Sequence, residues 1–289
     1  IPAENNMIVE TRTDRVLAAR KLSVELLLTQ GHHNCITCES SGDCVLQDLV
    51  YSLGIDTPRF GEPETRMELE DANEMIVRDM NKCVLCGLCV RACSEIQVNQ
   101  VLDYSGRGPT ASVGPAFGER YEHSDCVFCG ECVRVCPVGA LFEKQGRFQG
   151  RAGDLQKVRT TCGYCGVGCQ MDLNVRNGQV VKVTTPREGA PAPNNGSLCI
   201  KGRFGYDFVG HKDRLKKPMV RVDGELREVG WDEAITYVAD RLSAIRKEHG
   251  PDAIAGLASA RCTNEENYLF QKLMRAVIGT NNVDHCARL

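Results

Sequence analysis

The sequence predicts an α+β chain of several small modules, each built on a metal centre, leading into the first segment of an α/β domain. Three observations predict it. Fifteen of the 17 cysteines fall into four consecutive groups with tight, regular spacing. Short helix and strand patterns separate the groups. After the last group the pattern changes to helix, small apolar strand, loop and helix, the order of an α/β fold. The length of 289 residues suggests about two domains. Clustered ligands allow more, because small, loop-rich modules can form around a metal core.

The elements follow in order. Residues 14–30 carry a helix pattern with Asp14 at its N-cap and Gly31 past its end. Val16, Ala19, Leu22 and Leu26 share one face, and Arg15, Arg20 and Lys21 lie off it as solvated charges. A second short helix runs from about Val45 to Leu53 and closes at Gly54. Residues 75–79 form a short strand leading into Cys83. Each four-cysteine group that follows puts three cysteines on a tight loop and the fourth at the start of a short helix. Residues 105–122, rich in Gly and Pro, read as a surface loop, and residues 143–157 as a polar linker. Residues 172–184 alternate around Asn177-Gly178, a two-residue hairpin signal, with Leu173, Val175, Val181 and Val183 in the apolar positions. A helix over 232–248 carries Ile235, Val238, Ala239, Leu242 and Ile245 on one side and stops at Gly250-Pro251. Residues 253–259 read as a buried strand. Thr263-x-x-Glu266 is a capping box opening a helix that ends near Gly279.

Composition narrows the function classes. The net charge is −3, from 35 basic and 38 acidic residues, which gives no sign of nucleic-acid binding. No run approaches the roughly 18 apolar residues of a membrane helix. A secreted disulfide scaffold would be a small domain lacking a core. The cysteine spacings here are tighter and more regular, and a reducing cytoplasm fits them better. No signal peptide is visible, but the chain begins at Ile1 rather than Met, so that absence carries little weight.

Soft thiolates at short spacing suit zinc or iron–sulfur clusters. The run C-x2-C-x2-C-x3-C occurs as Cys83, Cys86, Cys89, Cys93 and again as Cys126, Cys129, Cys132, Cys136, the second time followed by Pro137. That is the bacterial two-cluster ferredoxin pattern, in which the fourth cysteine of each run ligates the other cluster. One cluster is therefore expected on Cys83, Cys86, Cys89 and Cys136, and the other on Cys126, Cys129, Cys132 and Cys93. The first group, Cys35, Cys38 and Cys44, has three cysteines, and His32 and His33 immediately upstream offer the fourth ligand.

Groups of one histidine and three cysteines resemble those of the large iron–sulfur subunit of respiratory complex I, of [FeFe] hydrogenases, and of soluble NAD-linked hydrogenases and formate dehydrogenases. The commonest histidine spacing in those families would fall on Gly31. The H-x-C spacing of some relatives falls on His33, which is favoured over His32. The fourth group, Cys162, Cys165, Cys169 and the distant Cys199, is followed by Ile200-Lys201-Gly202. It resembles the cluster motif of molybdopterin oxidoreductases, and by that resemblance Lys201 is the relay between cluster and pterin.

The order of modules, and the segments Ser259–Tyr268 and Ile278–Arg288, resemble cytoplasmic molybdenum/tungsten formate dehydrogenase catalytic subunits. The resemblance implies a one-histidine/three-cysteine [4Fe-4S] domain over 1–66 and a 2[4Fe-4S] ferredoxin-like domain over 67–155. A molybdopterin-oxidoreductase [4Fe-4S] domain over 156–217 and the start of a pterin-binding α/β domain over 218–289 complete it. It implies four [4Fe-4S] clusters, with a Mo or W bis-pterin guanine dinucleotide where the full catalytic domain is present. Arg261, Asn264 and the Gly279–Arg288 loop are pterin contacts by family position alone. Cys262 and Cys286 stay outside the ligand sets.

The implied reaction is formate to carbon dioxide. Electrons would leave to a flavin/NAD(P)-binding or iron–sulfur partner subunit, or to ferredoxin. In that family the catalytic cysteine or selenocysteine lies just beyond the residues aligned with Leu289, so the chain is not expected to be active alone. A selenocysteine codon read as a stop is the expectation for that end, and a trimmed [2Fe-2S] domain for the other. The alternatives are a pterin-free electron-carrier subunit of a hydrogenase or other oxidoreductase, and a complex I-like scaffold.

Overall fold

The computed structural model describes residues 2–63 and 66–286. In the first module, helix α1 (Asp14–Leu28) packs beside α2 (Val45–Ser52). Thr13, not Asp14, caps α1: its hydroxyl accepts from Val16 N at 3.3 Å, and Asp14 falls in the first turn. The buried face also differs from the expected one. Val24, Leu27 and Leu28 enter the core, while Leu22 and Leu26 stay exposed. The register is turned because Glu25 is drawn inside, where Arg59 pairs with its carboxylate. Lys21 is not merely solvated, since its Nζ donates to Gly54 O at 3.0 Å and satisfies a carbonyl at the end of α2.

The second module is a pseudo-repeat closed by a two-stranded antiparallel ladder. β1 (Ile76–Arg78) pairs with β4 (Leu141–Glu143) in the register Ile76 to Glu143. Between them lie α3 (Leu88–Arg91), which widens into a π turn to Ile96, the hairpin β2 (Asp103–Ser105) and β3 (Ser112–Gly114), and α4 (Glu131–Val135). In both copies the third cysteine lies inside the helix; the fourth lies within the π turn in the first copy and at the C-cap of α4 in the second, a correction to the expected plan. Residues 105–122 are not simply a surface loop, because Tyr121 at their end is 1% exposed. One hydrophobic core serves the first two modules. Val24, Leu46 and Ile55 join Ile76, Leu102 and Leu141 in it, and Phe204 reaches it from the third module.

The third module is an antiparallel sheet of β5 (Gln156–Thr161), β6 (Gln170–Arg176) and β7 (Gln179–Thr184), followed by α5 (Ile200–Phe204). The hairpin turns on Asn177 and Gly178, both with positive φ. The expected linker over 143–157 instead begins with buried Glu143 in β4 and ends in β5. Val183 and Leu173 pack on one face of the sheet, but Asp172 and Asn174 on the other face are buried too. The two-residue period showed only one apolar side; on the other, Arg159 of β5 pairs with Asp172, and Asn174 donates to Thr184 Oγ1 of β7.

The last module opens with the hairpin β8 (Met219–Val222) and β9 (Glu225–Glu228), then α6 (Trp231–His249). Strand β10 (Gly256–Ala258), helix α7 (Asn264–Lys272) and strand β11 (Val283–His285) complete a parallel pair with a helical crossover, the expected α/β unit. The capping box at Thr263 and Glu266 is present in both directions. Of the stripe read on α6, Leu242 and Ile245 pack against Ile254, Met274 and Ile278, while Ile235 and Val238 are exposed. Leu257 in the strand read as buried is exposed as well. Among the described residues no helix is long and apolar enough to cross a membrane.

Candidate metal centres

None of the 17 cysteines forms a disulfide. The ladder and paired short helices of the second module bring eight of them to two cavities. One is lined by Cys83, Cys86, Cys89 and Cys136, and the other by Cys93, Cys126, Cys129 and Cys132. Each cavity thus takes three cysteines from one run and the last from the other. Tyr121 walls both, with its hydroxyl 3.9 Å from Cys132 Sγ. Backbone N–H groups already point at sulfur: Leu85 N donates to Cys83, Val101 N to Cys93 and Phe128 N to Cys126, at 3.3–3.4 Å.

Several of these thiols resist ionising by themselves. Burial first, then the neighbouring Cys136, pushes Cys89 up to about 12. Burial does the same to Cys83 and Cys126, each up to about 11. Four such sulfurs become thiolates only around a cation that repays their desolvation, which an iron–sulfur core does. Among the described residues no group of three or more His, Cys, Asp or Glu side chains suits a single metal ion. A four-iron cube spreads its ligands over its corners and needs no such convergence. The donor set fits the group.

In the first module Cys35, Cys38 and Cys44 are neighbours: the thiols of Cys44 and Cys38, after burial, push that of Cys35 up. His33 Nε2 is buried and has no hydrogen-bond partner among the described residues. Burial holds the His33 ring below its ordinary value while a hydrogen bond with the Leu27 backbone opposes it. A neutral imidazole with one nitrogen oriented by backbone and the other open is the usual state of a ligating histidine. His32, in contrast, holds Glu62 Oε2 through Nδ1 at 2.8 Å. His33 thus presents an open ring nitrogen, while His32 is engaged with Glu62.

In the third module the thiols of Cys162, Cys165 and Cys199 each push that of Cys169 up after burial, so all four expected cysteines meet. Cys162 N donates to Cys169 O at 2.8 Å across the mouth of the loop. Lys201 is exposed on α5, two residues past Cys199, itself exposed. Asn264 reaches back to this loop, and its Nδ2 donates to Gly166 O at 2.7 Å. Arg261 is exposed at the turn before α7, where its N–H is held by Ser259 Oγ at 3.0 Å. Of the Gly279–Arg288 loop, residues 287 and 288 lie outside the described residues.

Contacts join the modules to one another. A Cβ on Gly139, three residues past Cys136, would sit 2.5 Å from Cys38 Sγ. Arg187, after β7, donates to Cys136 O at 3.1 Å and to Asp43 Oδ1 at 3.3 Å, beside Cys44. Arg203 on α5 donates to Cys129 O at 2.9 Å. Sequence reading missed Tyr121, Arg187 and Arg203. Only Arg203 stood near a motif, and nothing in its spacing marked it.

Four family descriptions match the chain in order. They are the NADH-ubiquinone oxidoreductase-G iron-sulfur binding region over residues 20–59, the 4Fe-4S dicluster domain over 82–140, the molybdopterin oxidoreductase Fe4S4 domain over 155–211, and molybdopterin oxidoreductase over 214–289. Among curated relatives, NADPH-Fe(3+) oxidoreductase subunit alpha of Geobacter sulfurreducens is 36% identical over 100% of this chain and 33% of its own length. One of the NADH-quinone oxidoreductase subunits of Rhizobium meliloti is 37% identical over 99% of this chain and 33% of that one. A Staphylococcus aureus protein named "Putative formate dehydrogenase" is 33% identical over 98% of this chain and 32% of that one. The chain spans about a third of the length of these relatives. The chain thus carries, in order, two iron–sulfur regions, a molybdopterin oxidoreductase Fe4S4 domain and a molybdopterin oxidoreductase segment.

Proposed function

We propose that this chain is the electron-conducting portion of a formate dehydrogenase, carrying electrons between a pterin site and a partner redox subunit. The observation that carries the reading is that contacts join the cysteine sets to one another. Asn264 and Gly166 join the pterin-domain segment to the Cys162 loop. Arg203 joins α5 to the Cys129 loop, and Tyr121 separates the two crossed cavities. Gly139 then joins the Cys136 loop to Cys38. The terminal stations are the Cys162, Cys165, Cys169, Cys199 set and the His33, Cys35, Cys38, Cys44 set. A four-iron cluster bound at each set supplies a one-electron site. The residues would hold it, and in the second module backbone N–H groups orient its ligands.

Lys201 is proposed as the relay facing the pterin, and Arg261 and Asn264 as groups at that edge. The likeness to the Staphylococcus protein and the motifs at Ser259–Tyr268 and Ile278–Arg288 support formate as the substrate. The partner is a flavin/NAD(P)-binding or iron–sulfur subunit, by analogy with the multi-subunit relatives. The Geobacter relative supports a second reading, an electron-carrying subunit for an oxidoreductase that uses no formate.

One experiment separates them. The protein is purified anaerobically with its bound subunits, analysed for Fe, Mo, W and Se, and given formate while its low-temperature paramagnetic resonance is followed. Molybdenum or tungsten together with formate-reduced cluster signals supports the first reading. Iron alone, with signals reduced by dithionite and not by formate, supports the second and overturns the first.

A further inference from the structure

Between the second and third modules lies a buried group of three charges that no ligand set uses. Glu131, placed between Cys129 and Cys132, is fully buried and accepts from two arginines. Arg203 Nη2 donates to one carboxylate oxygen at 3.1 Å, and Arg134 Nε donates to the other at 2.8 Å. Arg203 is buried as well, with its Nε on the Cys129 carbonyl. Its stem lies against Gly130, where a Cβ would overlap Arg203 Cδ. Gly130 and Glu131 both line the cavity that collects Cys93, Cys126, Cys129 and Cys132.

Two guanidiniums and one carboxylate sum to one net positive charge while Glu143, which also faces Arg203, holds its proton. A clasp whose only task was to join two modules would be served by one arginine and one carboxylate. Here the excess charge is buried, so salt screens it little. It also borders four thiolates that, with their iron, form an anionic centre. A nearby cation stabilises the more negative, reduced state of such a centre.

We propose that Arg203, Glu131 and Arg134 form a positioning group whose net positive charge raises the reduction potential of the cluster held by Cys93, Cys126, Cys129 and Cys132. The step concerned is the gain of one electron by that cluster, with no bond made or broken. In the test below the electron comes from dithionite. The inference rests on the cluster assignment of the second module and not on formate as substrate.

The test is a dithionite titration of the anaerobically purified protein at a single pH, followed by paramagnetic resonance. Arg203→Gln leaves a neutral Glu131–Arg134 pair and is expected to lower the potential of this one cluster. Glu131→Gln leaves two cations and is expected to raise it. Each shift should be about tenfold in the oxidised-to-reduced ratio, or about 59 mV for a one-electron couple. Arg203→Lys keeps the charge and should return the potential towards that of the unaltered protein. If Arg203→Gln fails to retain iron, Arg134→Gln removes the same charge from the other side of Glu131 and is read in its place. Shifts of opposite sign support the proposal, because loosened packing alone would not reverse sign with charge. Shifts of the same sign, or none, overturn it. An unaltered protein without low-potential four-iron signals would overturn the cluster assignment itself, a different failure.

Discussion

Glu143 at the end of β4 is 8% exposed, and burial pushes its carboxyl up to about 7 from the ordinary 4.5. Its partner is Tyr206, whose hydroxyl lies 2.5 Å from Glu143 Oε1 and 2.7 Å from Val181 O. A tyrosine has one hydrogen to give, and the Val181 carbonyl can only accept. A protonated Glu143 resolves the competition by donating to the tyrosine oxygen; an ionised one does not. The folded-state pKa is raised, so between pH 4.5 and about 7 the folded chain holds a proton that the unfolded chain has lost. Stability is therefore fully present below pH 4.5 and falls as pH rises through about 7. The difference between 4.5 and about 7 amounts to roughly 3 kcal/mol. Glu143→Gln stays neutral and keeps an N–H that can donate to the Tyr206 oxygen. Its melting temperature should match that of the unaltered protein near pH 4.5 and exceed it by roughly 6–12 °C at pH 8, at about 2–4 °C per kcal/mol. Anaerobic thermal melts of both proteins across that range measure the gap. A gap that does not widen with pH refutes the reasoning.

Two further outcomes are expected. Gly130→Ala strains a backbone at φ 73° and drives Arg203 off its seat, so it should destabilise the protein by roughly 1–3 kcal/mol; a melting temperature equal to the parent's would contradict this. His33→Ala should change one four-iron resonance and leave the others, whereas His32→Ala should leave all of them in place. The reverse pattern would move the ligand to His32.

The cysteine sets were legible in sequence because cluster ligation needs short, fixed spacings, and spacing survives without any knowledge of the fold. The capping box at Thr263 and Glu266 and the Asn177-Gly178 turn were legible for the same reason, since both are local. What escaped depends on contacts between distant residues. Arg59 turns α1 by drawing Glu25 inward, so Leu22 and Leu26 face out where periodicity put them in. Asp172 and Asn174 occupy the polar side of an alternating strand, yet they are buried, held by Arg159 and Thr184 of the neighbouring strands. Tyr121 closes a Gly- and Pro-rich stretch that reads as surface, yet it walls both cavities. The bonds from Arg203 to Cys129 and Glu131 span 74 and 72 residues and leave no periodic trace.

The central claim is that the two runs of the second module exchange their last cysteines, which makes one rigid two-centre station of the middle of the chain. Single Cys→Ser changes read by paramagnetic resonance test it most directly. Cys136→Ser should perturb the same four-iron signal as Cys83→Ser, and Cys93→Ser the same signal as Cys126→Ser. Should Cys136→Ser instead alter the signal moved by Cys126→Ser, the runs do not cross and the account fails at its centre.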